Sequence, residues 1–197
     1  MNLENARLVY VVSCVLLGFV ILLPTLFAVF PLPEDESFSE LWLLNSNHMI
    51  GSGAMNVLLN KPYTVYLGVG NQMGDLEYYT VYVKLLDSSE GLVETGSMLP
   101  SSSEPIFEYN LFLMNNEIWE KPFVFSFENV SFEGDVARVS LLSINDNDVS
   151  VDTTIVQDAS DGGFYCKMLF ELWIYNSTIS TLQYHNRFVH FWINLNR

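Results

Sequence analysis

The sequence predicts an all-β protein, an antiparallel immunoglobulin-like β-sandwich, preceded by one transmembrane α-helix. Three observations predict it. Residues 8–33 contain no Asp, Glu, Lys or Arg. Beyond them the apolar pattern repeats every two residues. The runs with that period are separated by turn-rich stretches such as LPSSSEP, NNE, NDND and DASDGG, with no helical period between them.

The predicted helix comes first. Leu8 to Phe30 spans about 34 Å at 1.5 Å per residue, enough for a bilayer core of about 30 Å. A core helix of that length in a water-soluble protein carries a polar face, and this run has none. A cleaved signal peptide has a shorter apolar region, about 7–15 residues, ending in small residues. Here bulky Phe27 and Phe30 stand at that end, so the expectation is an uncleaved anchor, bent at Pro24. Arg7 precedes the span, and the first basic residue after it is Lys61, behind the acidic Glu34, Asp35, Glu36 and Glu40. That asymmetry predicts a cytoplasmic amino terminus (1–7), a membrane span (8–30), an acidic stalk (31–37) and an extracytoplasmic β-sandwich domain (38–197).

Seven to nine strands follow. FSELWLL leads out of the stalk. YTVYLGVG places Tyr63, Val65, Leu67 and Val69 on one face. YYTVYVKLL turns Tyr79, Val81, Val83 and Leu85 inward, and Tyr78, Thr80, Tyr82 and Lys84 outward. GNQMGD between these two runs reads as a hairpin turn. Phe107, Tyr109, Leu111 and Leu113 alternate next, then Phe123, Phe125 and Phe127, with VARVSLL after them. In the last pair, Phe164, Cys166, Met168, Phe170, Leu172 and Ile174 face Val189, Phe191, Ile193 and Leu195.

Charge excludes some functions. The net charge of −15 falls on the part beyond the helix, which holds 7 of the 8 basic residues and 22 of the 23 acidic ones. Phosphate backbones and anionic lipid headgroups would repel it, so no nucleic-acid partner is expected. The two cysteines, Cys14 in the span and Cys166 in a strand, cannot pair, which predicts a sandwich without a disulfide.

The strings PYTVYLGVGNQMGDLEYYTVYVKL and FELWIYNSTISTLQYHNRFVHFWINLN, and more loosely FSELWLL, resemble an archaeal membrane-protein family defined only as a domain of unknown function, DUF1616. The resemblance covers most of residues 38–197. It implies an extracytoplasmic β domain tethered to a membrane, with no established activity, cofactor or substrate. This chain differs in having one span where some relatives have several. It also has Gly70-Asn71-Gln72 where relatives often read Gly-Asn-His, which weakens a metal or acid–base role at that turn.

Candidate sites are few. Asp146, Asp148 and Asp152, followed by Asp158 and Asp161, form a weak calcium candidate. They lack the Gly and Glu of an EF-hand loop, with Val151 and Gln157 in those places, and the competing reading is a solvated turn. His185 and His190, five apart on an extended chain, point to opposite faces and make a poor metal pair, and His190 shares its face with Phe188 and Trp192. No nucleophile elbow, Cys–His pair or phosphate loop is present. No catalytic residue and no cofactor is therefore expected. Asn129 and Asn176 head glycosylation sequons, both expected at strand ends. The outward aromatics Tyr66, Tyr78, Tyr82, Trp173, Tyr175 and Trp192 suit a contact surface, or cross-strand pairs that only stabilise the sheet.

The functional expectation is a non-enzymatic membrane-anchored module, a protein-interaction or accessory component of the cell envelope. The alternatives are a glycan- or calcium-binding surface receptor and, third, a hydrolase assembled from distant loops.

Overall fold

The computed structural model describes residues 3–29, 37–51, 53–88 and 99–196. The chain divides into two compact units, Met1–Glu36 and Ser37–Arg197.

In the first unit, α1 (Leu3–Val29) is one helix of 27 residues, about 40 Å long. Its side chains are described for residues 7–22. Every large apolar one from Leu8 to Leu22 is between 50% and 71% exposed, on all sides of the helix. Among the described residues no helix is long and apolar enough to cross a membrane. The acidic stalk expected at 31–37 lies outside the described residues, apart from Ser37.

The second unit is all-β. Its strands, among the described residues, are β1 (Phe38–Leu44), β2 (Met55–Leu58), β3 (Tyr63–Gln72), β4 (Glu77–Asp87), β5 (Phe107–Leu113), β6 (Ile118–Glu133), β7 (Val136–Ile144), β8 (Asn147–Val156), β9 (Phe164–Asn176) and β10 (Thr181–Asn196). They form two five-stranded sheets, β1-β3-β6-β7-β8 and β2-β10-β9-β4-β5, hereafter sheets one and two. The alternation puts the predicted residues inside. Phe123, Phe125 and Phe127 of β6 are at most 1% exposed, and Phe170 of β9 is fully buried. Phe123 meets Phe170 edge-to-face at 5.0 Å, and Phe125 meets Phe191 of β10 at 5.5 Å. Such ring pairs add packing energy beyond their buried area. Together they form an aromatic layer that joins the sheets without a disulfide, Cys14 and Cys166 both being free.

Three expectations need correction. GNQMGD is not a hairpin turn but a crossover, because β3 belongs to sheet one and β4 to sheet two. The pairing is not wholly antiparallel, since β2 runs parallel to β10, from Met55 opposite Ile193 to Leu58 opposite Asn196. β8 is a full strand across most of the stretch expected as an acidic turn. Only Asn145 and Asp146 make the turn, at φ of 49° and 62°, the left-handed pair that a two-residue type I′ hairpin needs.

The crossover is organised by Asn71, which is fully buried. Its Nδ2 donates to the carbonyls of Asp75 and Leu113, both at 2.8 Å, and its Oδ1 accepts the Met73 N–H at 2.9 Å. Asn145 does similar work at the other end. Its Oδ1 accepts from Val124 N of sheet one at 2.9 Å, and its Nδ2 donates to the Tyr109 hydroxyl of sheet two at 2.6 Å. On the outer face of sheet one, Trp42 packs over Gly68, where a Cβ would sit 2.0 Å from the indole and displace it.

Phe170→Ala removes the ring that touches both Phe123 and Phe191. It is expected to cost about 3–5 kcal/mol in urea unfolding.

Candidate interaction surface

The outer face of sheet two collects the predicted aromatics, but in two groups. Tyr78 and Tyr82 of β4 and Trp173 and Tyr175 of β9 form the first. Tyr78 meets Phe112 of β5 at 4.7 Å and Tyr175 at 6.3 Å, while Trp173 meets Tyr82 at 5.5 Å and Tyr184 at 5.9 Å. Phe112 is 71% exposed and Tyr175 40%. Asn110 ties the group together, its Oδ1 accepting from the Tyr78 hydroxyl at 2.9 Å and from Thr80 Oγ1 at 2.8 Å. Trp173 is half-buried, and its Nε1 is buried with no hydrogen-bond partner among the described residues. Trp192 stands apart on β10, with Lys167 Nζ 4.8 Å from its ring centre. Tyr66 is in neither group: it lies on sheet one, its ring tilted against His48 with centres 3.9 Å apart.

Between the two groups this face is closed. Lys84 and Glu171 point outward from neighbouring strands, yet are only 4% and 0% exposed. Lys84 Nζ lies 2.9 Å from Glu171 Oε2 and donates to the Ser101 carbonyl at 2.7 Å, while Ser101 N–H donates to Glu171 Oε1 at 2.6 Å. Residue 101 therefore seals an ion pair over the middle of the sheet. Close charge and hydrogen bonds offset the desolvation of both ions, and they fix the path of the chain around Ser101. Burial pushes the Tyr184 hydroxyl up to about 12, with Glu171 adding to the effect. The sequence carries a signal for the pair that outward-facing alternation hides: Lys84 and Glu171 are lone opposite charges inside the apolar runs YVKLL and LFELW. Exposed charges at those places would interrupt nothing; buried ones demand each other.

A second polar arrangement crosses the sandwich. Ser39 Oγ of β1 lies 2.7 Å from the Tyr79 hydroxyl of β4 and 2.9 Å from His185 Nε2 of β10. Tyr79 donates to Asn71 Oδ1 at 3.1 Å, and Arg187 Nε donates to the Ser39 carbonyl at 3.2 Å. His185 faces inward at the bulge between Tyr184 and Arg187. Burial holds the His185 imidazole below its ordinary 6.5, and the neighbouring Arg187 lowers it further. Ser39 is 2% exposed and shares its hydroxyl between Tyr79 and His185, so this chain acts as a strut between sheets; a nucleophile must reach its substrate.

The other candidates are dispersed. Asp146 sits in the β7–β8 turn, while Asp148 and Asp152 point out from β8 about 13 Å apart at the rise of a strand. Among the described residues no group of three or more His, Cys, Asp or Glu could hold a metal ion, and strand geometry is why these three do not converge. His190 faces out between Phe188 and Trp192, opposite to His185, as the spacing predicts. Burial raises the Cys166 thiol far above its ordinary range, with Asp87 adding, so it is an inert core residue. Asn176 ends β9 and accepts the Thr178 N–H at 2.9 Å. Asn129 is exposed, but it lies at a bulge within β6, not at a strand end as expected.

Two outcomes follow. Glu171→Gln leaves Lys84 buried without a counter-charge and is expected to cost about 3–5 kcal/mol, whereas Lys84→Met with Glu171→Leu regains most of it, read as urea midpoints of both variants. For His185, which faces Ser39, Tyr79 and Arg187, the folded imidazole titrates below the unfolded one. Its contribution is therefore complete above about pH 6.5 and is lost as pH falls from there through the lower folded-state value. The wild-type melting temperature should drop between pH 7 and pH 5 by more than that of His185→Gln; parallel profiles would exclude the role.

No family model matches the chain, and no curated protein does. Among solved structures, a β-glucosidase from Listeria innocua with bound laminaribiose is similar over 83% of this chain and 17% of its own, at 12% identity and a TM-score of 0.40. A PapD-like domain of human CEP192 is similar over 84% of this chain and 89% of its own, at 9% identity and a TM-score of 0.30. The chain thus spans under a fifth of the glucosidase, and likenesses this distant carry no argument about its activity.

Proposed function

We propose that this chain is a membrane-anchored, extracytoplasmic module of immunoglobulin-like architecture that binds another protein of the cell envelope, as an interaction or accessory component without enzymatic activity. The observation that carries the binding role is the Tyr78–Phe112–Tyr175 cluster. Two exposed rings flank a tyrosine beside β5, the last strand of sheet two among the described residues. Large aromatic side chains, above all those with a polar tip, are what protein partners bury at the centre of an interface. An edge strand adds backbone donors and acceptors to the same place.

The anchor is supported by the 27-residue helix and by its exposed apolar side chains from Leu8 to Leu22. A helix hydrophobic on every side needs an apolar surrounding. The charge agrees with this reading, because a domain this acidic gains nothing from lying on anionic headgroups or nucleic acid.

The test uses the full chain in membranes. After an alkaline carbonate wash it is expected to stay in the pellet, with the β domain cleaved only by protease added outside. Affinity capture of the wild type should recover a partner that Tyr78→Ala with Phe112→Ser loses at unchanged melting temperature. Release into the supernatant would overturn the anchor, and identical capture by both forms would overturn the surface.

A further inference from the structure

The two Asn-X-Ser/Thr stretches of this chain are held very differently by the fold. Asn176-Ser177-Thr178 leaves the end of β9 and enters the turn before β10. Asn176 pairs with Thr181, and the four residues between them are all exposed. The Thr178 N–H donates to Asn176 Oδ1 at 2.9 Å, an Asx turn that brings the backbone of residue 178 back to the asparagine amide. The same amide donates through Nδ2 to Gln183 Oε1 at 2.9 Å, an exposed contact that water can replace at little cost.

Asn129-Val130-Ser131 lies inside β6. Asn129 stands opposite Leu141, Val130 opposite Val139 and Ser131 opposite Arg138, midway along a hairpin that runs from Phe125 opposite Ile144 to Glu133 opposite Val136. The Asn129 carbonyl also accepts from the Ser140 hydroxyl at 3.3 Å. Asn129 is the more exposed asparagine of the two, so exposure of the side chain does not separate the sites; the backbone does. In N-glycosylation one active site must enclose the asparagine amide and the hydroxyl two residues on. Residues 176–178 can enter such a site on giving up one exposed side-chain contact. Residues 129–131 must first leave the β6–β7 ladder, an opening drawn from the stability of the sheet. Side chains alternate along β9, so Asn176 leaves the strand on the side opposite Tyr175, and a glycan there projects away from the Tyr78–Phe112–Tyr175 cluster.

We propose that Asn176 is the N-glycosylation site of this chain and that Asn129 in the folded domain is not. The inference rests on the extracytoplasmic placement of the β domain, where the sugar donor, an oligosaccharide joined through phosphate to a polyprenol, meets its acceptor. In the transfer, Asn176 Nδ2 bonds to the anomeric carbon as the bond from that carbon to the phosphate oxygen breaks. The polyprenyl phosphate leaves with the electron pair, and Nδ2 gives one of its two protons to a base of the transferase.

Two measurements test it. In the first, the full chain folded in detergent is incubated with an oligosaccharyltransferase that reads Asn-X-Ser/Thr and with a polyprenyl-diphosphate oligosaccharide, and glycopeptides are read by mass spectrometry. Occupancy of Asn176 is expected to exceed that of Asn129 by about tenfold or more. Thr178→Ala should abolish it with the melting temperature retained. Ser131→Thr gives both stretches the same hydroxyl residue and should still leave Asn129 unmodified, while a free peptide of residues 124–136 with that change is accepted. In the second, the protein taken from its own membranes is expected to carry a glycan on Asn176. An unmodified Asn176 in either measurement, or equal transfer to Asn129 in the folded chain, overturns the proposal. External protease separates the causes: a bare Asn176 on a domain cleaved from outside overturns the glycan alone, and a domain protected from it overturns the placement as well.

Discussion

The structure of the β domain depends on one layer of rings. Phe123, Phe125 and Phe127 from one sheet and Phe170 and Phe191 from the other fill the space between them, and no covalent link shares the load. Close packing of that layer sets the sheet separation, and sheet separation decides whether polar side chains can span it. Asn145 and the Ser39–Tyr79–His185 chain do span it, with bonds between 2.6 and 2.9 Å to groups on the opposite sheet. The rings supply adhesion. The polar struts, which bond well at only one relative placement, supply register.

Outside the core the same logic is inverted. Lys84 and Glu171 occupy outward positions, where solvent is the default, and are buried all the same because Ser101 lies across them. This closed patch divides the outer face of sheet two. On one side lies the aromatic cluster of Tyr78, Phe112 and Tyr175, and on the other a polar cleft lined by Tyr165, Asn194 and Asn196.

Much of the inward pattern was legible in the sequence because burial on one face of a strand imposes a period of two. Tyr63, Val65, Leu67 and Val69, and the Phe123 series, fall where alternation predicts. Alternation carries no information on which strands pair, so the Gly70–Asp75 crossover reads like a hairpin, and β2, only four residues long, leaves no period to detect. Of the surface, the tyrosines and tryptophans were legible as outward. That Tyr66 sits on the other sheet, and that Trp192 lies under Lys167, depends on strand order alone. The polar cleft was invisible for the same reason: Gln157, Asp161 and Asn194 are brought together by the turn after β8 and by pairings made at long range.

The parallel partnership of β2 with β10 also has a temporal side. Met55–Leu58 must wait for residues 193–196, more than 130 positions downstream, before its backbone groups are satisfied. Closing so long a loop is entropically slow, and the intervening strands can be synthesised while that border is still unzipped. The sandwich is therefore a structure that locks late, and a cell making it must shelter a half-built edge until the lock engages.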